Sequence, residues 1–157
     1  MQGVVSYLVA AILAAALVHA AWGDLRCRII PNWLNLAIAA GAPIWWWANG
    51  WALWPDIIVQ IGIAFAIFMI FAACFAIGAM GGGDVKLITA LSLWLPLTPL
   101  VQMLFIMAIL GGIVTLATIG FHRIRKRSDT PEIPYGVAIS LAGLWVFAND
   151  LLTISGP

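Results

Sequence analysis

The chain has 157 residues, 64% of them hydrophobic and only 8% charged, with a formal net charge of +1. A mean hydropathy of +1.09 excludes a soluble core-and-surface globule and implies an integral membrane protein. Two cysteines, Cys27 and Cys74, are too few for a disulfide framework or a Cys-rich zinc site, and Cys74 in its apolar run reads as packing.

A helix needs roughly 20 apolar residues to cross the hydrocarbon. That length predicts six spans, at 3–22, 32–49, 57–79, 84–98, 100–120 and 136–154. The fold class is all-α, a polytopic membrane protein of about six transmembrane helices, in one domain covering 1–157. The first run is read as a retained span rather than a cleaved signal peptide. No Lys or Arg precedes it, and its apolar stretch has the length of a full crossing. The fourth is the shortest, with Pro96 and Pro99 at its end.

The basic residues fix the expected orientation. Arg26 and Arg28 lie between spans one and two, and Lys86 lies beside the loop between three and four, at the start of the fourth span. Arg123, Arg125, Lys126 and Arg127 lie between five and six. The even loops hold none, so the positive-inside rule puts the odd loops in the cytoplasm and both termini outside. The Arg123–Arg127 cluster directly follows a span, so it reads as a topology signal and anionic-lipid contact rather than a nucleic-acid site. On the opposite face Trp45, Trp46, Trp47, Trp51 and Trp54 bracket a Gly/Pro turn and read as an aromatic belt.

Two polar interruptions carry the chemistry. Asp24 ends the first span, and Gly81-Gly82-Gly83-Asp84-Val85-Lys86 opens the fourth. A carboxylate at a membrane boundary is costly and marks function. The six-span topology puts both aspartates at one depth on one face. Two adjacent carboxylates share a proton, so one can activate water as a base while the other donates to a scissile carbonyl. Asp84 would also cap the fourth span, which favours it as the base. The glycines allow backbone conformations closed to other residues and close approach of another chain. Lys86 is read first as a snorkelling and topology residue. The alternative for each aspartate alone is a helix cap at the interface. His19 reads as a packed or interfacial residue and His122 as a headgroup neighbour. Asp129 and Glu132 read as solvated loop charges, and Asp150 as an interfacial one.

Together these segments resemble the type IV prepilin peptidases, membrane aspartyl proteases with a G-x-G-D signature. Gly81-Gly82-Gly83-Asp84 matches that signature. Asp24-Leu25-Arg26-Cys27-Arg28-Ile29-Ile30-Pro31-Asn32 matches the segment of the first aspartate, with its Ile-Pro-Asn, and Pro134-Tyr135-Gly136-Val137-Ala138-Ile139 resembles a third segment. The resemblance implies that Asp24 and Asp84 are the catalytic pair, with Gly81, Gly82, Gly83, Lys86, Pro31 and Asn32 shaping the site. Larger members carry an extra cytoplasmic region with paired Cys-x-x-Cys motifs and methylate the new N-terminus. This chain lacks that region and is similar to the short form associated with Flp/Tad-type pili.

The expected function is therefore a membrane aspartyl endopeptidase that removes the leader from pilin-like precursors at the cytoplasmic face of the bacterial inner membrane. Its partners would be the precursor and the lipid bilayer, with no nucleic acid, and neither a metal nor another cofactor is expected. Two other classes fit less well. A small proton- or cation-coupled transporter would carry its carboxylates near the midplane. A non-catalytic subunit of a pilus or secretion assembly would have no need of the pair.

Overall fold

The computed structural model describes residues 2–124 and 133–154, with side chains over 3–121 and 133–150. Arg123, Arg125, Lys126 and Arg127, with His122, Asp129 and Glu132, fall outside the described side chains. Six α-helices follow one another: α1 (Gln2–Cys27), α2 (Asn32–Ala48), α3 (Ile58–Ala76), α4 (Gly82–Ser92), α5 (Leu97–Ile124) and α6 (Tyr135–Ile154). A kinked turn over Leu53–Ile57, with Trp54 extended (φ −126°, ψ 131°), leads into α3. Each predicted span has its helix, and no strand occurs among the described residues.

The helices differ in reach. Gly3–Cys27, Leu53–Ala76 and Leu97–Phe121 are long and apolar enough to cross a membrane by length and composition. α4 is the outlier, because its 11 residues rise only about 16 Å, half of the ~30 Å hydrocarbon layer. It is also the most enclosed helix. It packs against α2, α3 and α6, while α1 lies on α2 and α6, and α5 on α6. Leu87, Ile88 and Leu91 of α4 meet Leu17, Leu34, Ile38, Met103 and Ile139 in one core, all nearly inaccessible.

A helix that stops inside a bundle leaves its last carbonyls without water to satisfy them. The surrounding helices supply donors. The indole Nε1 of Trp46 donates to Leu93 O at 2.8 Å. The buried Gln60 amide donates to Ser92 O and, at 2.6 Å, to Leu95 O. In return Trp94 Nε1 donates to Ile38 O of α2 at 2.9 Å. This corrects the aromatic-belt reading. Trp47 and Trp54 are exposed, but Trp45 and Trp46 are buried. Trp45 packs on Trp94 and Phe147 at 5.9 and 5.0 Å, and Trp51 stacks on Trp46 at 6.4 Å. Indoles bury large apolar area and bring a donor, so at this end of the bundle they serve the core and the end of α4.

Candidate active site

Asp24 stands in the last turn of α1, where the chain leaves the helix through Arg28. Arg28 adopts a left-handed conformation (φ 56°) that turns the backbone toward α2, and its N–H donates to Asp24 O at 3.1 Å. Pro31, extended at φ −63° and ψ 140°, then starts α2. Asp84 is the third residue of α4, three positions beyond the N-cap. The N-cap is Gly81, and the Asp84 carboxylate reaches back to the Gly81 backbone. That is the return half of a capping box, in which an acidic third residue serves the N-cap.

Asp24 caps a different helix. Its Oδ2 accepts the Val137 N–H, in the first turn of α6, at 3.1 Å. Each carboxylate therefore sits at a helix N-terminus, where free N–H groups and the helix dipole favour negative charge. The two lie within electrostatic reach of one another. Both are largely withdrawn from the surface, with 5% of Asp24 and 9% of Asp84 accessible.

They share one cavity of about 580 Å³. Asp24, Arg28, Ile29 and Ile30 line one side of it, Gly78 to Asp84 another, and Ile133 and Tyr135 close it. It opens at the end of the bundle that carries Arg26, Arg28 and Lys86. Of the residues expected to shape the site, Gly81, Gly82 and Gly83 line the cavity, whereas Pro31, Asn32 and Lys86 do not. Lys86 is exposed, and its Nζ donates to Asn32 Oδ1 at 2.8 Å, bracing α4 to α2 outside the cavity. His19 is also not among the lining residues. Its ring lies 5.8 Å from that of Trp33.

The glycines act differently from the conformational reading. Gly81 has φ −73°, Gly82 and Gly83 are helical, and the left-handed glycines are Gly50 and Gly78. What the run provides is room. A Cβ on Gly83 would stand 3.3 Å from the Cβ of Ile30, and one on Gly82 would stand 3.3 Å from the Phe75 ring. Gly136 is tighter still. A Cβ there would lie 2.7 Å from Ile30 Cδ1 and 2.9 Å from both Cγ and Oδ2 of Asp24. Ile30, 6% exposed, is thus held between Gly83 and Gly136, the backbones that carry Asp84 and cap Asp24. The sequence reading gave Ile30 and Asn35 no role, and read Gly136 only as punctuation at the entry to the sixth span. Ile30 begins the quoted Ile-Pro-Asn, and Gly136 lies in the third segment. Asn35 had no signal beyond being polar on an apolar helix. Among the described residues, no three His, Cys, Asp or Glu side chains gather as a metal site.

An all-helical membrane protein with two carboxylates on one end-facing cavity has the equipment for hydrolysis without a nucleophilic side chain. Comparison with known families agrees in class: residues 11–116 match the type IV leader peptidase family. The match covers most of the chain, including Asp24 and Asp84, and the chain belongs to this family of membrane peptidases. No curated protein and no solved structure matches it.

Proposed function

We propose that the chain is an aspartic-type endopeptidase that removes the leader from Flp-type pilin-like precursors at the cytoplasmic face of the bacterial inner membrane. The observation that carries this reading is the convergence of Asp24 and Asp84 on one cavity at the basic end of the bundle. In the reaction, the ionised carboxylate takes a proton from water, and the oxygen attacks the scissile carbonyl. The protonated partner donates to the carbonyl oxygen. Collapse of the tetrahedral species breaks the C–N bond, with the proton passing to the leaving amine and the pair restored. Asp84 sits at the N-terminus of α4, while Asp24 lies between the last turn of α1 and the first of α6, so helix-end position by itself does not assign the base. A transmembrane precursor would lie in the bilayer with its cleavage site at the depth of the pair. The cavity's place at the ends of α1 and α4 supports this over ion transport, whose sites usually lie near the midplane.

The test is co-expression with candidate short pilin precursors, with the product read by mass. Asp24→Asn and Asp84→Asn should each abolish cleavage while the protein still inserts, since an amide keeps the shape but cannot exchange the proton. Processing by either variant at near wild-type rate would overturn the proposal.

A further inference from the structure

α2 buries an apolar face of Leu34, Ile38, Ala42 and Trp45 against its neighbours, and Asn35 stands on that face at 5% exposure. A buried amide among aliphatic side chains is costly unless its donors and acceptors are used. Half of this one is used. Asn35 Nδ2 donates to the Gly83 carbonyl at 3.4 Å, while Oδ1 has no hydrogen-bond partner among the described residues. A leucine would fill the same space without leaving an orphaned acceptor. What the asparagine adds is therefore the tie to Gly83.

That carbonyl belongs to the peptide that joins Gly83 to Asp84. As an early helix carbonyl it faces along α4, and fixing it limits rotation of the peptide plane that aims Asp84. Two further contacts meet the same short stretch. Ile30 packs against Gly83, and Asn32 Oδ1 takes the Lys86 ammonium. The segment that follows Asp24 thus holds the segment that carries Asp84 at three points.

From this geometry we infer that Asn35 is a positioning residue for Asp84: its amide fixes the Gly83–Asp84 peptide and so sets the alignment of the two carboxylates. The inference rests on the protease reading above, and the experiment separates the two.

The measurement is precursor cleavage by purified full-length protein in detergent, with kcat and KM resolved and melting followed in parallel. Asn35→Leu should lower kcat by about tenfold or more while KM and the melting temperature change little. Asn35→Asp gives the reading that packing alone would not. Its neutral acid can donate to the Gly83 carbonyl, while its carboxylate cannot and repels it. The ratio of its kcat to wild type should be highest at acid pH and fall as pH rises. The ionisable groups on the helices packed against α2, namely His19, Asp24, Arg26 and Arg28 near α1 and Asp84 and Lys86 on α4, are common to both proteins. Their own titration enters numerator and denominator alike, apart from the shift the new charge imposes on Asp84, which is read from the full pH profile of each protein. A flat ratio, or Asn35→Leu turning over as fast as wild type, would overturn the inference. If Asn35→Leu does not fold, the Asn35→Asp ratio decides alone. Asp84→Asn is run beside them. Cleavage by that variant would sink the protease reading itself, whereas an inactive Asp84→Asn with a fast Asn35→Leu would sink only the role of Asn35.

Discussion

Gly136→Ala asks whether the site tolerates a single added methyl. The new Cβ would stand 2.9 Å from Asp24 Cγ and Oδ2 and 2.7 Å from Ile30 Cδ1. Neither neighbour retreats easily. Ile30 is packed against Gly83, and Asp24 is tied to the Val137 N–H at 3.1 Å. Overpacking of this kind costs about 1–3 kcal/mol. Losing a hydrogen bond to a charged acceptor costs about 1.5–3 kcal/mol, and the helix propensity of alanine over glycine returns at most about 1 kcal/mol. The net is a destabilisation of about 1.5–6 kcal/mol. Displacing a catalytic group by about 1 Å costs on the order of 100-fold in rate, or about 2.7 kcal/mol in the barrier. The assay is turnover of a precursor in detergent together with a melting curve. Gly112→Ala, where the added carbon meets nothing within 4 Å, serves as the matched control. If Gly136→Ala turned over within about threefold of wild type, with unchanged melting, the claim that Asp24 is held against the α6 backbone would be wrong.

Gly83→Val should cripple cleavage, because its branches add to a contact already at 3.3 Å from Ile30. The control is Gly62→Val, in open space, since a Cβ at Gly41 would strike the Trp94 ring at 2.7 Å. Equal activity in the two variants would reduce the glycine run to a plain turn. Gln60→Leu removes the donor for Ser92 O and Leu95 O. With each buried carbonyl left orphaned at about 1–3 kcal/mol, melting should fall clearly, and an unchanged melting temperature would refute the account of how α4 ends. For orientation, a cysteine at Gly50 should react with an impermeant reagent in intact cells, and one at Ser128 only after permeabilisation. Labelling of both from the same side would overturn the six-span topology.

Hydropathy located every helix, because a run of apolar residues is visible without knowing its neighbours. It overestimated the fourth span, since Leu93, Trp94 and Leu95 extend the apolar run past the point where α4 stops. The residues that permit the stop, Trp46 and Gln60, lie 47 and 32–35 positions away from the carbonyls they serve. The same blindness made Trp45 and Trp46 look like interfacial aromatics: a tryptophan facing lipid and one facing a core read alike in sequence. The aspartates were legible because a carboxylate in such a chain is conspicuous. Their supports were not. The sequence could say that the Gly81–Gly83 run lets another chain approach and that Gly136 punctuates the entry to α6, but not which side chain each gives clearance to. Ile30 and Asn35 look like any other residue of an amphipathic turn until α4 is laid against them.

α4 also bears on the order in which the molecule is assembled. Seven of its 11 residues are buried by protein, among them Asp84 and Ser92. So short a segment, with a carboxylate, an ammonium and two hydroxyls, has little to gain from lipid alone. Its resting place is a socket walled by α2, α3 and α6, and α6 is the last of these to be synthesised. If the socket needs all three walls, the carboxylate it carries settles beside Asp24 only after α6 has packed, and the peptidase would be inert before that. Chains arrested after α5 should leave precursor uncut in a coupled translation assay, and cutting by such chains would show that the socket closes without α6.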